Sequence, residues 1–242
     1  MSQKSVKVVA FDLDGTLTQH RTKLGAQNRE ILDRLRQNYK LVMVGAGTCE
    51  RIWTQMNQYP IDIIGSYGMQ FATYDQEQQT LVLQWNEHAE IDREEVLHRA
   101  EMIRKEFDLQ DYAGETIEFH PTGSITFPVL GTKANIEDKL AYDPDRRKRR
   151  KMYPFVKELF YDYRVVIGGS SSFDIIPGKY GKLNAIWRYL DKYGMNEQEI
   201  VYCGDDYYEG GNDYDVYTGG IPFIKVDHYH ELGKILEENK LL

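Results

Sequence analysis

The sequence predicts an α/β protein, a Rossmann-like doubly wound parallel-sheet core with an inserted α+β cap domain. Three observations lead there. Short apolar strands alternate with amphipathic helices over residues 6–64, the pattern of repeated βα units whose parallel sheet is covered on both faces. Between about 86 and 178 the order changes to helices interspersed with paired strands, which reads as a separate antiparallel layer system. After Gly178-Lys179-Tyr180-Gly181 the alternation resumes. The core therefore takes residues 1–85 and 179–242, and the cap residues 86–178.

In the first third, strand 6–11 precedes a helix over 25–38, where Ile31, Leu32 and Leu35 fall at helical spacing. Strand 41–44, helix 49–58 and strand 61–64 follow. The cap reads as helix 92–107, strands 115–119 and 124–129, a helix near 143–160, and strands 163–168 and 171–176. The returning core has helix 182–193, strand 199–203, a helical turn from 211, strand 222–226 and helix 229–240. Neither an internal repeat nor a low-complexity linker interrupts the chain.

A chain of 242 residues with 41% hydrophobic content can bury a sizeable interior. Its formal net charge of −8 argues against nucleic acid or an anionic membrane as partner. The two cysteines, Cys49 and Cys203, lie far apart and away from histidine clusters, so neither a disulfide framework nor a zinc site is expected. The N-terminus lacks an apolar export segment, and no apolar run approaches the roughly 18 residues that span a bilayer. A soluble protein of the reduced cytoplasm is the expectation.

The chemistry concentrates where the first strand ends, in Val8-Val9-Ala10-Phe11-Asp12-Leu13-Asp14-Gly15-Thr16-Leu17-Thr18. Alternate residues of an extended chain face the same way, so Asp12 and Asp14 can both meet one phosphate and one Mg2+. Gly15 permits a tight turn, and Thr16 and Thr18 offer hydroxyls to phosphate oxygens. Read alone, Asp-Leu-Asp-Gly-Thr is also an ordinary polar turn. Distant company weighs against that: Lys182 opens a helix, and Gly204-Asp205-Asp206 with Gly210-Gly211-Asn212-Asp213 follows the apolar strand Ile200-Val201-Tyr202-Cys203. Ligands of doubly wound sheets sit beyond the carboxyl ends of the strands, where Asp12 and Asp205 fall.

DxDGT, a later lysine and a GD…GGND segment, in this order and across nearly the whole chain, resemble the haloacid dehalogenase superfamily of phosphotransferases. The resemblance implies Asp12 as the nucleophile that becomes an aspartyl phosphate, Asp14 as general acid and base, and Lys182 as a charge clamp. It further implies Mg2+ held by Asp12, the Asp14 carbonyl and Asp205, with Asp213 supporting the coordination shell. At the second signature, Gly45-Ala46-Gly47-Thr48 departs from the family's hydroxyl position, leaving Thr48 either as a phosphate ligand or as a plain helix cap.

Within the superfamily the chain looks most like the eukaryotic-type phosphomannomutases and the bacterial α-phosphoglucomutase, whose cap, of type C2B, lies between the second and third signatures. The matching stretches run from Asp14 to Arg21, over Gly114–Phe119, from Gly168-Gly169 through Ser172-Phe173-Asp174 to Pro177, and over Gly210–Asp213. By that similarity Arg21 contacts substrate, and Ser172 and Asp174, which alternate with Phe173 and share one face, contact hexose hydroxyls. The mutases hold the non-reacting phosphate with cap arginines. Here those positions become His120, Thr132 beside Lys133, and Lys139, and Ser66-Tyr67-Gly68 lacks the mutases' Glu-Asn pair. Guanidinium makes bidentate phosphate contacts that imidazole and ammonium do not, so retention of a bisphosphorylated intermediate is weakened.

The expected function is therefore a Mg2+-dependent phosphatase acting on a sugar phosphate or similar small phosphate ester. A phosphohexomutase is the alternative, and a non-catalytic binding module the remote one. The basic run Arg146-Arg147-Lys148-Arg149-Arg150-Lys151 lies in a helix without stacking aromatics, so a solvated helix face is expected in place of a nucleic-acid patch. An apolar exposed cap face would make a homodimer through the cap the expected assembly.

Overall fold

The computed structural model describes residues 6–242. The chain divides into two compact units. One comprises the chain up to Asn86, Gly181–Tyr208 and Asp213–Leu242; the other comprises Glu87–Tyr180 with Glu209–Asn212. The sequence assigns all of 179–242 to the core. Lys179 and Tyr180, and the four residues from Glu209, instead fall in the second unit, where the Gly210 carbonyl accepts the Ile167 N–H at 2.7 Å.

The first unit is built on a seven-stranded sheet. In chain order its strands are β1 (Val8–Phe11), β2 (Lys40–Val44), β3 (Asp62–Gly65), β4 (Gln70–Asp75), β5 (Thr80–Asn86), and later β10 (Ile200–Gly204) and β11 (Phe223–Lys225). Their spatial order is β11-β10-β1-β2-β3-β4-β5. From β11 to β3 the pairing is parallel, whereas β4 and β5 add antiparallel at the edge. This hairpin is absent from the sequence reading. Its residues, such as Gln70, Thr73, Gln84 and Asn86, are too polar for the apolar runs that mark the buried strands.

Alternation along β1 feeds both faces of the sheet. Val9 and Phe11 pack with Ile31, Leu32 and Leu35 of α1 (Ala26–Leu35), with Ile52 of α2 (Cys49–Gln55) and with Leu232 and Leu236. Val8 and Ala10 pack with Leu183, Ile186, Tyr189 and Leu190 on the other face. Truncating one such fully buried leucine to alanine costs about 2–5 kcal/mol. The sheet is thus clamped from both sides, and β1 and β10 lie side by side in its parallel part, with Phe11 in register with Cys203.

The second unit carries a four-stranded antiparallel sheet. Its strands are β6 (Glu118–Phe119), β7 (Ile125–Pro128), β8 (Tyr163–Gly168) and β9 (Ser172–Pro177), in the order β6-β7-β9-β8. Helices α3 (Arg93–Glu106) and α5 (Arg147–Leu159) cover one face through Val96, Ala100, Ile103, Met152 and Val156, packed on Phe127, Phe173 and Ile175. The helix expected near 143–160 is α5, which begins after Arg146, left-handed at φ 60°; a further short helix, α4 (Ile136–Tyr142), precedes it and is absent from the sequence reading. Strand 115–119 shrinks to its last two residues.

The first unit closes with α6 (Lys182–Lys192), α7 (Tyr214–Thr218) and α8 (Leu232–Glu238). The last is shorter than the helix read over 229–240, since Tyr229–Glu231 is a 3-10 turn.

Candidate active site

Adjacent parallel strands bring Asp12 and Asp205 together. The Asp12 N–H donates to the Cys203 carbonyl at 2.9 Å, continuing the ladder one residue past β1. The chain then turns back, Gly15 N–H donating to the Thr18 carbonyl at 2.7 Å. Gly15 has φ +103°, and a Cβ there would lie 2.4 Å from an Asp205 carboxylate oxygen, so only glycine fits. Thr16, fully buried, donates its hydroxyl to Asp205 Oδ1 at 3.1 Å.

Lys182, the first residue of α6, is the hub. Its side chain is inaccessible to solvent, and Nζ donates to Asp12 Oδ1 at 2.5 Å and to Asp213 Oδ1 at 2.7 Å. Asp213 is held further by the Tyr202 hydroxyl at 2.6 Å and by the Asp206 N–H at 3.1 Å. Burial works against the Lys182 charge, but the two carboxylates outweigh it and keep the ammonium above its ordinary range. Burial pushes the Asp12 carboxyl up to about 7; Lys182 pulls it down, and Asp213 adds to the rise.

Asp14 sits in different surroundings. Its Oδ1 accepts the Arg21 backbone N–H and the Gln55 amide, each at 2.7 Å. Gln55, buried at the end of α2, also reaches Thr18 and is itself gripped by Arg51 at 3.1 Å. The sequence reading missed Gln55; the signal was a polar residue on the apolar side of α2. Arg21 is exposed, and only its backbone contacts Asp14. Thr48 caps α2, its hydroxyl oxygen accepting the Arg51 N–H at 3.2 Å, which is the capping alternative of the two.

Asp12, Asp205 and Asp213 each offer an oxygen within 4.8 Å of the others. The donor set is all oxygen, as hard divalent cations require. Two of the three carboxylates, those of Asp12 and Asp213, pair with the Lys182 ammonium. The residues fit Mg2+. Asp213 already receives donors on both oxygens, Lys182 and the Tyr202 hydroxyl on one and the Asp206 N–H on the other.

The cap residues fall into two groups on their own unit. His120 Nε2 lies 2.9 Å from Thr126 Oγ1, which donates to Asp174 Oδ1 at 3.1 Å. Ser172 donates to the Gly168 carbonyl at 3.1 Å. Lys133 is exposed, and Lys139 donates to the Thr132 carbonyl at 3.2 Å. The basic run is not a uniformly solvated face. Arg149, 1% exposed, pairs with buried Asp143 at 2.9 Å and donates to the carbonyls of Gly168 and Ser172, bracing the turn before Ser172.

Fold and site together define a phosphotransferase of the haloacid dehalogenase superfamily. Among solved structures, the Plasmodium falciparum IMP-nucleotidase, solved with IMP bound, superposes with a TM-score of 0.70 at 13% identity, over 98% of this chain and 69% of that one. A haloacid dehalogenase-like hydrolase from B. subtilis does so at 0.64 with 15% identity, over 98% and 100%. The family of eukaryotic phosphomannomutases matches residues 28–224, and the chain belongs to that family. The phosphomannomutase of Schizosaccharomyces pombe is 28% identical over 225 residues, covering 87% of this chain and 85% of its own. That of Saccharomyces cerevisiae is 27% identical over 227 residues, covering 89% and 87%. No helix among the described residues is long and apolar enough to cross a membrane.

Proposed function

We propose that the protein is a Mg2+-dependent phosphohexomutase that moves a phosphoryl group between hydroxyls of a hexose phosphate through an aspartyl phosphate on Asp12. The observation that carries this reading is the division of labour between two carboxylates one residue apart. Asp12 is buried and ion-paired with Lys182; Asp14 is less buried and held by neutral donors. A nucleophile and a proton carrier need such different surroundings. The family membership and the phosphomannomutase relatives favour the mutase over the hydrolase expected from the sequence.

In the first half-reaction an Asp12 oxygen attacks phosphorus, the ester P–O bond breaks, and Asp14 gives its proton to the departing sugar oxygen. In the second, Asp14 takes the proton of an incoming sugar hydroxyl, whose oxygen attacks the aspartyl phosphate and restores the Asp12 carboxylate. Lys182 favours the ionised, attacking form of Asp12 against burial and holds it oriented. Mg2+ held by Asp12, the Asp14 carbonyl and Asp205 would neutralise the charge of the phosphoryl oxygens.

A second reading, net hydrolysis of sugar phosphates, is favoured by the cap, where His120, Thr132 with Lys133, and Lys139 stand where the resemblance calls for arginines. A panel of hexose phosphates with Mg2+ and a hexose bisphosphate activator, scored for isomer and for inorganic phosphate, separates the two. The expected result is isomerisation exceeding phosphate release, lost in Asp12→Asn. Phosphate release without isomer would overturn the mutase reading in favour of the hydrolase, and absence of any Mg2+-dependent turnover would overturn both.

A further inference from the structure

The loop Gly45–Thr48 leaves β2 beside the Asp12–Asp14 segment, because Phe11 and Met43 are in register on adjacent parallel strands. Gly45 and Gly47 stand where the resemblance calls for a hydroxyl, and donors and acceptors nearby are engaged elsewhere. Thr48 Oγ1 accepts the Arg51 N–H at 3.2 Å, and the Cys49 N–H donates to Gln70 Oε1 at 3.0 Å. The loop itself is braced from β3: the Gly47 carbonyl accepts the Ser66 N–H at 2.7 Å and the Gly45 carbonyl the Tyr67 N–H at 3.1 Å. Ser66 and Tyr67 make these bonds at left-handed φ of 48° and 55°, strain of the kind that persists where surrounding structure enforces it.

Arg51 fills the place of the absent side chain. A helical side chain leans towards the N-terminus of its helix, so Arg51, the third residue of α2, reaches back over residue 47. A Cβ on Gly47 would fall against Arg51 Nε and Nη2, equally close to both and farther from Cζ. That point lies in front of the two-pronged edge of the guanidinium, not over its face. Nη1 donates to Gln55 Oε1 at 3.1 Å, and Gln55 in turn donates to Asp14 Oδ1 at 2.7 Å. Among the described residues, the Nε–Nη2 edge makes no hydrogen bond and no carboxylate pairs with the guanidinium. One corner is tethered to the Asp14 system, while the fork is left for an acceptor that the chain does not supply.

We propose that Arg51 takes over the task of the missing hydroxyl, its Nε–Nη2 edge holding oxygens of the phosphoryl group that reacts at Asp12. Arg51 is exposed, so its edge can turn from Gly47 onto incoming oxygens. A guanidinium offers two parallel N–H groups and a permanent charge, where a hydroxyl offers one neutral hydrogen bond. The family resemblance assigns nothing to residue 51, and glycine at 47 is what gives the fork its room. The assignment rests on the proposed chemistry at Asp12, and is therefore tested in a chain in which that chemistry cannot occur.

The test is calorimetric titration of Asp12→Asn with inorganic phosphate in the presence of Mg2+. Adding Arg51→Gln is expected to weaken binding at least about tenfold, the loss of a charge-assisted contact; Arg51→Lys should weaken it less, because the charge stays and only the fork goes. Adding Gly47→Ser to the Arg51→Gln chain should return part of the affinity, since a hydroxyl then occupies the place the fork has left. No binding at tens of millimolar phosphate, unchanged affinity in Arg51→Gln, or no recovery with Gly47→Ser would overturn the assignment. So would a fall in kcat on introducing Arg51→Gln into the otherwise wild-type chain with phosphate affinity unmoved, the signature of a residue that acts only by holding Gln55. Arg51-dependent phosphate binding in a protein whose wild type transfers no phosphoryl group would instead overturn the proposed function and leave this site standing.

Discussion

Replacing Lys182 by methionine leaves an unbranched side chain one atom shorter and removes its charge, so that two buried acids lose their common partner. Nζ is 2.5 Å from Asp12 and 2.7 Å from Asp213, and the side chain is inaccessible to solvent. Breaking a buried ion pair costs about 3–5 kcal/mol because a charge is left uncompensated. A lysine serving two carboxylates belongs at the top of that range. For a chain of this length each kcal/mol moves the melting midpoint by about 2–4 °C, so about 5 kcal/mol corresponds to a loss of about 10–20 °C. Scanning calorimetry of wild type and Lys182→Met measures it, and millimolar Mg2+ should return part of the loss by neutralising the same acids. A midpoint within about 3 °C of wild type would refute the claim that this ammonium holds the acidic cluster together.

Gln55→Leu removes one of the donors that hold Asp14; a hydrogen bond to a charged group is worth about 1.5–3 kcal/mol, so kcat should fall about 10- to 150-fold with KM little changed, and equal loss in both would argue against a positioning role. Although burial pushes the other way, the Arg149 and Lys148 backbone N–H groups and the Arg149 guanidinium hold Asp143 below its ordinary value. Its stabilisation is therefore present above the unfolded value of about 3.9 and is lost as pH falls through the lower folded value. Hydrogen exchange in α5 should rise over that acid limb, and Asp143→Asn should flatten the dependence. Burial pushes the Cys49 thiol up to about 12 and raises Cys203 as well. Neither should react with a thiol reagent at about pH 8 until the chain is unfolded, because thiolate is the reactive form; modification of the folded protein would contradict the packing described.

The parallel part of the core was legible because its strands are apolar on both faces. Val8–Phe11 and Ile200–Cys203 read as continuous buried runs, and their adjacency puts Asp12 beside Asp205. The β4–β5 hairpin was not legible, since an edge strand such as β5, with Val82 and Leu83 exposed, needs no regular alternation. In the basic run, charge alone could not show that Arg149 turns inward, because its partner Asp143 lies before α5, outside the run itself. At the site, DxDGT marked Asp12 and Asp14, but Gln55 and Thr126 act by holding other side chains, and such roles appear only when distant segments are brought together.

The account rests on a covalent step at one residue. Acid-quenched peptide mapping after brief incubation with a hexose bisphosphate and Mg2+ is predicted to find the phosphoryl group on Asp12, and none in Asp12→Asn. Sustained turnover with the phosphoryl group on another residue, or with Asp12 never modified, would contradict it.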